Sequence, residues 1–198
     1  QIYRRGIDYI RVPTTLLGLV DAAVGVKVGV NFENHKNFLG SFYPPQAVIS
    51  DVGFLRSINL RDMRSGIAEI IKVAVISNEN LFKQLEAFAV ELSSMEEGNF
   101  DPSSMEDLIR NAAVELLLHL EQDFYERDLM RHVDFGHAFA HSFEDASNYR
   151  VTHGEAVGMD ILLSSHIARQ RGMISSDEFA RIESLFRTLG LPFYDTSI

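Results

Sequence analysis

Three of the seven histidines fall within seventeen residues, in the stretch DFGHAFAHSFEDASNYRVTHGE from Asp134 to Glu155. On a helix His137, His141 and Glu144 share one face, at spacings of four and three, and the following loop returns His153 beside Glu155. Imidazoles and carboxylates grouped in this way could hold a metal ion or a phosphate. Ordinary packing competes with that reading, because helical histidines commonly sit at a core edge and bond backbone carbonyls. A carboxylate upstream bears on the choice. Glu69 lies in GIAEIIKVAVI, an apolar helical segment where an unpaired carboxylate would cost on the order of several kcal/mol. Two resolutions stay open: an ion pair with Lys72 three residues on, or a metal shell completed by His137 and His153. Two imidazoles and one carboxylate are typical of a catalytic zinc with an open position.

Lys27 and the pair Lys36 and Asn37 stand in Gly-flanked segments, VGVKVGVN and HKNFLG. Taken singly each is an ordinary surface residue. Together, cationic and polar groups in short loops near strand ends also suit a sugar phosphate or a nucleotide.

Composition limits what these groups can serve. Cysteine is absent, which excludes disulfides and thiolate metal sites and leads us to expect a reducing, cytoplasmic setting. A net charge of −10 argues against nucleic acid or an anionic membrane as the main partner, so an anionic ligand must be held by local cations. With 46% hydrophobic and 23% charged residues in 198, the chain is globular and long enough for one good-sized core or two small units. It shows neither a signal peptide nor an apolar run of about 18 residues that could span a bilayer. The opening QIYRRGIDYI enters an apolar segment without a methionine, as a piece of a longer chain would.

The elements that must position the site change character along the chain. IRVPTT, from Ile10 to Thr15, reads as a short strand stopped by a turn, and LLGLVDAAVGV has the spacing of a short buried helix. KVGVN is a second strand, FENHKN a polar turn, and AVISD an apolar strand ending in Asp51. Strand, turn and helix in this order suggest the end of a sheet domain over residues 1–51. From Val52 helices take over. LRDMRSGIAEIIKVAVI carries apolar residues at 67, 70, 71 and 74, with Glu69 and Lys72 on another stripe. ENLFKQLEAFAVELSSM follows, then SSMEDLIRNAAVELLLHLEQD with a serine cap, EAVGMDILLSSHIARQRGM, and SSDEFARIESLFRTLGL, opened by Ser175 or Ser176 and closed by Gly190 and Pro192. Residues 52–198 are thus expected to form a helical domain, and the fold class is α/β plus α.

Taken together, YRRGI, RVPTTLLGLVDAAVGVKVGVN, HKNFLGSFYPP, FLRS, GIAEIIK, DFGHAFAH and THGEAVG resemble the 3-dehydroquinate synthase superfamily, the sugar phosphate cyclases, over nearly the whole chain. The resemblance implies the end of a Rossmann-like NAD domain, without its Gly-rich phosphate loop, followed by a helical metal-binding domain truncated at its C-terminus. It implies that Glu69, His137 and His153 bind the metal, normally zinc with cobalt as an alternative. Thr14, Thr15, Lys27, Lys36, Phe54, Leu55, Arg56 and Ser57 match NAD contacts. Asp21, Asn37, Lys72 and His141 match the substrate pocket, joined by Lys27. A homodimer is implied, with Arg5 reaching the neighbouring subunit's phosphate site. The implied chemistry is oxidation of a sugar phosphate alcohol by NAD, elimination of phosphate, return of the hydride and an intramolecular aldol closure.

The departures from that pattern concern substrate choice. Dehydroquinate synthases read an arginine seven residues before the first metal histidine and an asparagine three before it, where this chain has Met130 and Asp134. They also carry a lysine in the preceding helix, and here no lysine follows Lys83. Losing those cations and adding Asp134 disfavours a substrate carboxylate. QDFYERDLMRHVDFGH looks instead like the sedoheptulose 7-phosphate cyclases, which make C7 cyclitols such as 2-epi-5-epi-valiolone. His141 stands where those enzymes commonly have proline, so Asp134 with His141 fits a separate stereochemical branch such as the 2-epi-valiolone synthases. Arg127 and Arg131 could still reach a carboxylate, which keeps 3-dehydroquinate synthase as the alternative. Iron-type polyol dehydrogenases share the architecture but lack the HKN and GIAEIIK arrangement, and an inactive paralogue is the remaining reading.

Overall fold

The segment GIAEIIKVAV has apolar residues on every face, and a helix of that kind has no stable place except the interior. It forms the middle of α1, Leu60–Ser77, buried almost continuously from Met63 to Ala74 and capped by Asn59, whose side chain accepts from the Asp62 amide at 2.8 Å. The computed structural model describes residues 6–33, 35–93, 101–128 and 131–196, without the side chains of His35 and Lys36. Around α1 pack α2, Glu79–Ser93, α3, Glu106–Glu121, and α5, His153–Gln170, while α6, Ser176–Leu189, closes against α2 and α5. Each fully buried Leu, Ile or Phe in this core, such as Ile67, Leu85 and Phe186, stabilises by roughly 1.5–3 kcal/mol.

The strands are few. β1, Ile10–Arg11, pairs in parallel with β4, Ala47–Val48, and β2, Lys27–Phe32, forms an antiparallel hairpin with β3, His35–Phe42. The architecture is thus α/β plus α, as expected. Two local readings are corrected. HKN is not a turn, since it lies in β3; a hairpin irregularity near Val30 and Phe32 lets Asn37 adopt φ +53° while its amide donates to Asn31 Oδ1 at 2.9 Å. AVISD pairs over two residues only, because Asp51 turns to cap the 3-10 segment Val52–Ser57 through the Gly53 amide at 2.8 Å.

The helix after β1 ends in a π-helical turn, Gly18–Ala22, a wider turn often found at functional positions, and it carries Asp21. Arg11 ties this turn to the following strand by donating to the carbonyls of Ala23, Gly25 and Lys27. Helix starts also differ in detail. The expected serine cap of α3 is replaced by Asp101, which opens a 3-10 turn, Pro102–Met105, that runs into α3. α5 starts at His153 rather than after it, through a reciprocal capping box in which Thr152 accepts from the Glu155 amide and Glu155 from the Thr152 amide. Ser175 and Glu178 do the same for α6, which ends at Gly190 with φ +65°.

One close approach decides where the histidines fall. The Gly154 amide donates to Ser65 Oγ at 3.1 Å, and a Cβ on Gly154 would overlap the Ser65 carbonyl oxygen. Gly158, one turn on, lies against Ala68 and Phe186. Only glycine at 154 lets the start of α5 sit directly on α1, one turn from Glu69. Gly154→Ala is therefore expected to cost about 3 kcal/mol, the upper end of ordinary overpacking. Denaturant midpoints check this, and a loss below about 0.5 kcal/mol, the range of a surface change, would contradict it.

Candidate metal centre

Glu69, on α1 and 1% exposed, faces two imidazoles from separate elements. His153 Nε2, from the first turn of α5, lies 3.3 Å from Glu69 Oε1, and His137 Nε2 lies 3.9 Å from the same oxygen. One ligand atom from each of the three falls within 4.8 Å of the others. Lys72 Nζ takes the second carboxylate oxygen at 2.5 Å. The ion pair and the imidazole cluster are not alternatives, since each uses a different oxygen of Glu69. Neither oxygen completes a well-aligned hydrogen bond. A buried carboxylate oxygen left in this state between two Nε2 atoms is a donor set that fits a divalent cation of zinc type.

The charges support that assignment. Burial alone would raise the Glu69 pKa, but the Lys72 ammonium, with the two imidazoles, holds it well below the usual carboxylate range. Burial works against the charged form of Lys72, and Glu69 and Asp21 overcome it, so the ammonium persists. Burial also drives His137 below the usual imidazole value against the pull of Glu69, which favours the neutral form a metal requires.

His137 and His141 do not share a helix, contrary to the spacing argument. Gly136, with φ +77° and packed where a Cβ would strike Ile161, bends the chain after the 3-10 turn His132–Asp134. His137 then sits in a loop, with Nδ1 donating to the Phe135 carbonyl at 3.3 Å, while α4, Ala140–Ala146, begins three residues later. Asp160, fully buried on α5, accepts from the amides of Phe139 and Ala140 at 2.5 and 3.0 Å and so fixes the start of α4. His141 consequently presents its ring 6.2 Å from that of His137 and 6.3 Å from that of His153. Glu155 stays out of the cluster, occupied by its cap and by a bidentate pair with Arg61 at 2.7 Å.

A cleft of about 840 Å³ opens over the three imidazoles, and Asp21, Lys27 and Asn37 line it. Beside it a hollow of about 120 Å³ is bounded by Lys72, Glu126, Arg131 and Asp134. The expected substrate residues Asp21, Lys27, Asn37, Lys72, Asp134 and His141 are thereby brought to one place. Lys27 pairs with Glu126, which also pairs with Arg131, and Arg131 holds Asp134 at 2.6 Å. Thr14, Thr15, Phe54, Arg56 and Ser57 are exposed and do not line the cleft, and Leu55 gives its side chain to the core. Arg5 and the side chain of Lys36 lie outside the described residues. Sequence reasoning missed the roles of Glu126 and Asp160, for which no local spacing gives a signal. It met Glu144 only as part of a helical pattern.

Residues 66–197 match the family model described as 3-dehydroquinate synthase C-terminal, and residues 1–65 match 3-dehydroquinate synthase N-terminal. The chain belongs to the 3-dehydroquinate synthase family. Within that family it is 40% identical over 196 residues to a 2-epi-5-epi-valiolone synthase of Streptomyces hygroscopicus subsp. jinggangensis, covering 97% of this chain and 47% of that protein. A solved structure of the enzyme of that name from the same organism, with NAD+ and Zn2+ bound, superposes with a TM-score of 0.91 at 40% identity, over 100% of this chain and 54% of that one. A 2-epi-valiolone synthase of Actinosynnema mirum is 41% identical over 96% of this chain and 49% of its own length. A 3-dehydroquinate synthase of Pelotomaculum thermopropionicum is also 41% identical, over 96% of this chain and 50% of its own. The chain spans about half the length of the curated relatives it matches.

The buried Glu69 and Lys72 pair also carries a stability consequence. Glu69→Gln leaves an ammonium that is 3% exposed with Asp21, 3.3 Å away, as its remaining acid, and breaking a buried pair costs about 3–5 kcal/mol. Because the folded carboxyl titrates below its ordinary value of 4.5, its contribution is complete above that pH and fades as the pH falls beneath it. Urea midpoints of the two proteins are expected to lie far apart at neutral pH and to converge in acid.

Proposed function

We propose that the full-length protein is a metal- and NAD-dependent sugar phosphate cyclase that converts sedoheptulose 7-phosphate to a valiolone-type C7 cyclitol and inorganic phosphate. The position of Arg131 carries the choice of substrate. Its guanidinium is held between Glu126 and Asp134, so the cation that could read a substrate carboxylate is already matched by two acids. Burial works against its charge, and the hydrogen bonds it donates to Asp134 and the charge of Glu126 keep it protonated. Arg127 is exposed and lines neither hollow, and Met130 stands where dehydroquinate synthases carry arginine. A substrate whose end is neutral and hydroxylated suits such a wall.

Glu69, His137 and His153 would hold zinc or cobalt, and Thr14, Thr15, Lys27, Lys36 and the backbone of Phe54, Leu55, Arg56 and Ser57 would contact NAD. When bound, the metal supplies Lewis-acid polarisation of a hydroxyl or carbonyl, and NAD accepts and returns a hydride. The chain's own residues do the rest. Lys27, at the mouth of the cleft, offers a cation to the phosphate. Lys72, fixed between Glu69 and Asp21, donates hydrogen bonds to a ligand oxygen without leaving its ion pairs. His141 is 59% exposed at its side chain and stands over the same cleft, where it can take or return a proton. Asn37 and Asp21 orient hydroxyls. The same proposal includes a cytoplasmic homodimer with Arg5 in the partner's phosphate site, and a division of the chain at residues 51 and 52.

His141 is the observation that favours a second reading, since dehydroquinate synthases carry histidine there. Within the cyclase reading it points to the 2-epi-valiolone branch rather than the 2-epi-5-epi one. Full-length enzyme is expected to release phosphate from sedoheptulose 7-phosphate and not from the dehydroquinate precursor, with the product identified by NMR. Turnover of the precursor alone would overturn the assignment. His153→Ala is expected to lose the metal, measured by elemental analysis, while far-UV circular dichroism keeps its helical signal.

A further inference from the structure

Glu144 is a buried acid, 2% exposed, that belongs to no ligand set described above. Its two oxygens are divided between two rings: Oε1 lies 2.8 Å from Nδ1 of His153, and Oε2 lies 3.1 Å from Nδ1 of His141. We propose that Glu144 is the positioning residue of the centre: one carboxylate fixes the Nδ1–H tautomer of both His153 and His141, so both rings offer an unprotonated Nε2 to the cleft. The inference rests on the metal reading proposed for Glu69, His137 and His153.

An ionised carboxylate accepts hydrogen bonds and donates none. A ring nitrogen 2.8 Å from a carboxylate oxygen is therefore the donor, which leaves the other nitrogen as the one a metal or a substrate can use. In His153 that other nitrogen is the Nε2 atom facing Glu69. In His141 it belongs to a ring that lines the substrate cleft. His137 receives the same treatment from a different group, the Phe135 carbonyl at its Nδ1. All three rings are thus gripped from behind at Nδ1. A partner placed behind a ligand imidazole fixes its orientation and raises its basicity as a metal ligand.

The backbone shows that Glu144 itself is held. Its carbonyl accepts from the Tyr149 amide at 2.8 Å and from Ser147 Oγ at 2.9 Å, which ties α4 to the turn leading into His153. Asp160 fixes the other end of α4 through the Ala140 amide. The His141 and His153 rings are near-parallel, 21° apart, and both turn Nδ1 to the one carboxylate. One residue therefore sets a ring on the metal side and a ring on the substrate side together.

Two measurements on the full-length protein test this and separate it from the metal reading. In metal-free wild-type protein with isotope-labelled histidine, long-range proton–nitrogen correlation spectra above the ordinary imidazole pKa should show a proton on Nδ1 of both His141 and His153. An Nδ1 without its proton on either ring overturns the proposal, and no variant has to fold for this result. Glu144→Gln replaces one acceptor oxygen by a donor and cannot serve both rings. Its zinc affinity, measured by competition with a chromophoric chelator, should fall about 10–100-fold with helical content unchanged. An affinity within about threefold of wild type would overturn the proposal, because losing such a partner ordinarily costs at least tenfold. A wild-type protein that binds no zinc would instead sink the metal reading, and the tautomers would still decide the role of Glu144.

Discussion

The buried pair of Glu69 and Lys72 is the constraint on which the rest of the structure depends. Two charges three residues apart on a helix that is otherwise apolar leave water together, and each would be untenable alone. Their mutual attraction does not offset that cost by itself. Asp21, 3.3 Å from Lys72, and the imidazoles of His137 and His153 supply the remaining neighbours. Those five residues come from the π turn, α1, a loop and the start of α5. The charge pair therefore dictates that these elements converge at one point, and the cleft opens where they meet.

Convergence of that kind needs close backbone approach, and glycines provide it at two positions with different duties. Gly154 removes a side chain so that α5 can lie on Ser65. Gly136 supplies a left-handed backbone and clears Ile161, so the loop can turn His137 inward. Acidic residues then fix the histidines from behind: Asp160 through the amides at the start of α4, and Glu144 through the rings themselves. Rigid placement is the common result. A metal site gains from it because the ligands lose little freedom on binding.

How much of this was legible in the sequence differs by residue. The helices with strong periodicity and sharp caps were readable: α1 from its apolar run and α6 from a serine at 175 or 176, Gly190 and Pro192. Glu69 stood out because a carboxylate in such a run demands a partner, yet the sequence offered two partners as rivals, and the structure uses both through separate oxygens. The face shared by His137, His141 and Glu144 was misjudged, since helical spacing carries no information about a glycine that bends the chain at 136. Asp160 holds amides that lie far from it in sequence, and Glu126 joins Lys27, far upstream, to Arg131, just beyond one helical turn. Nothing within a helical turn of either residue marks the amides or guanidinium that it holds.

The acidity of the chain and the phosphate ligand we propose for it are reconciled by how its few cations are stored. With a net charge of −10, a free lysine or arginine in the cleft would be rare, and both Lys27 and Arg131 are held by carboxylates. Glu126 pairs with both. If an anion draws Lys27 away, Glu126 keeps Arg131, so no buried acid is stranded and the exchange escapes the large penalty of an unpaired charge. Arg131 has no such freedom, because releasing it would leave Glu126 and Asp134 close together with one counter-charge fewer. The exposed lysine is thus the cation free to change partners and the arginine is the fixed one. That asymmetry suits a ligand with an anion at one end and only hydroxyls at the other.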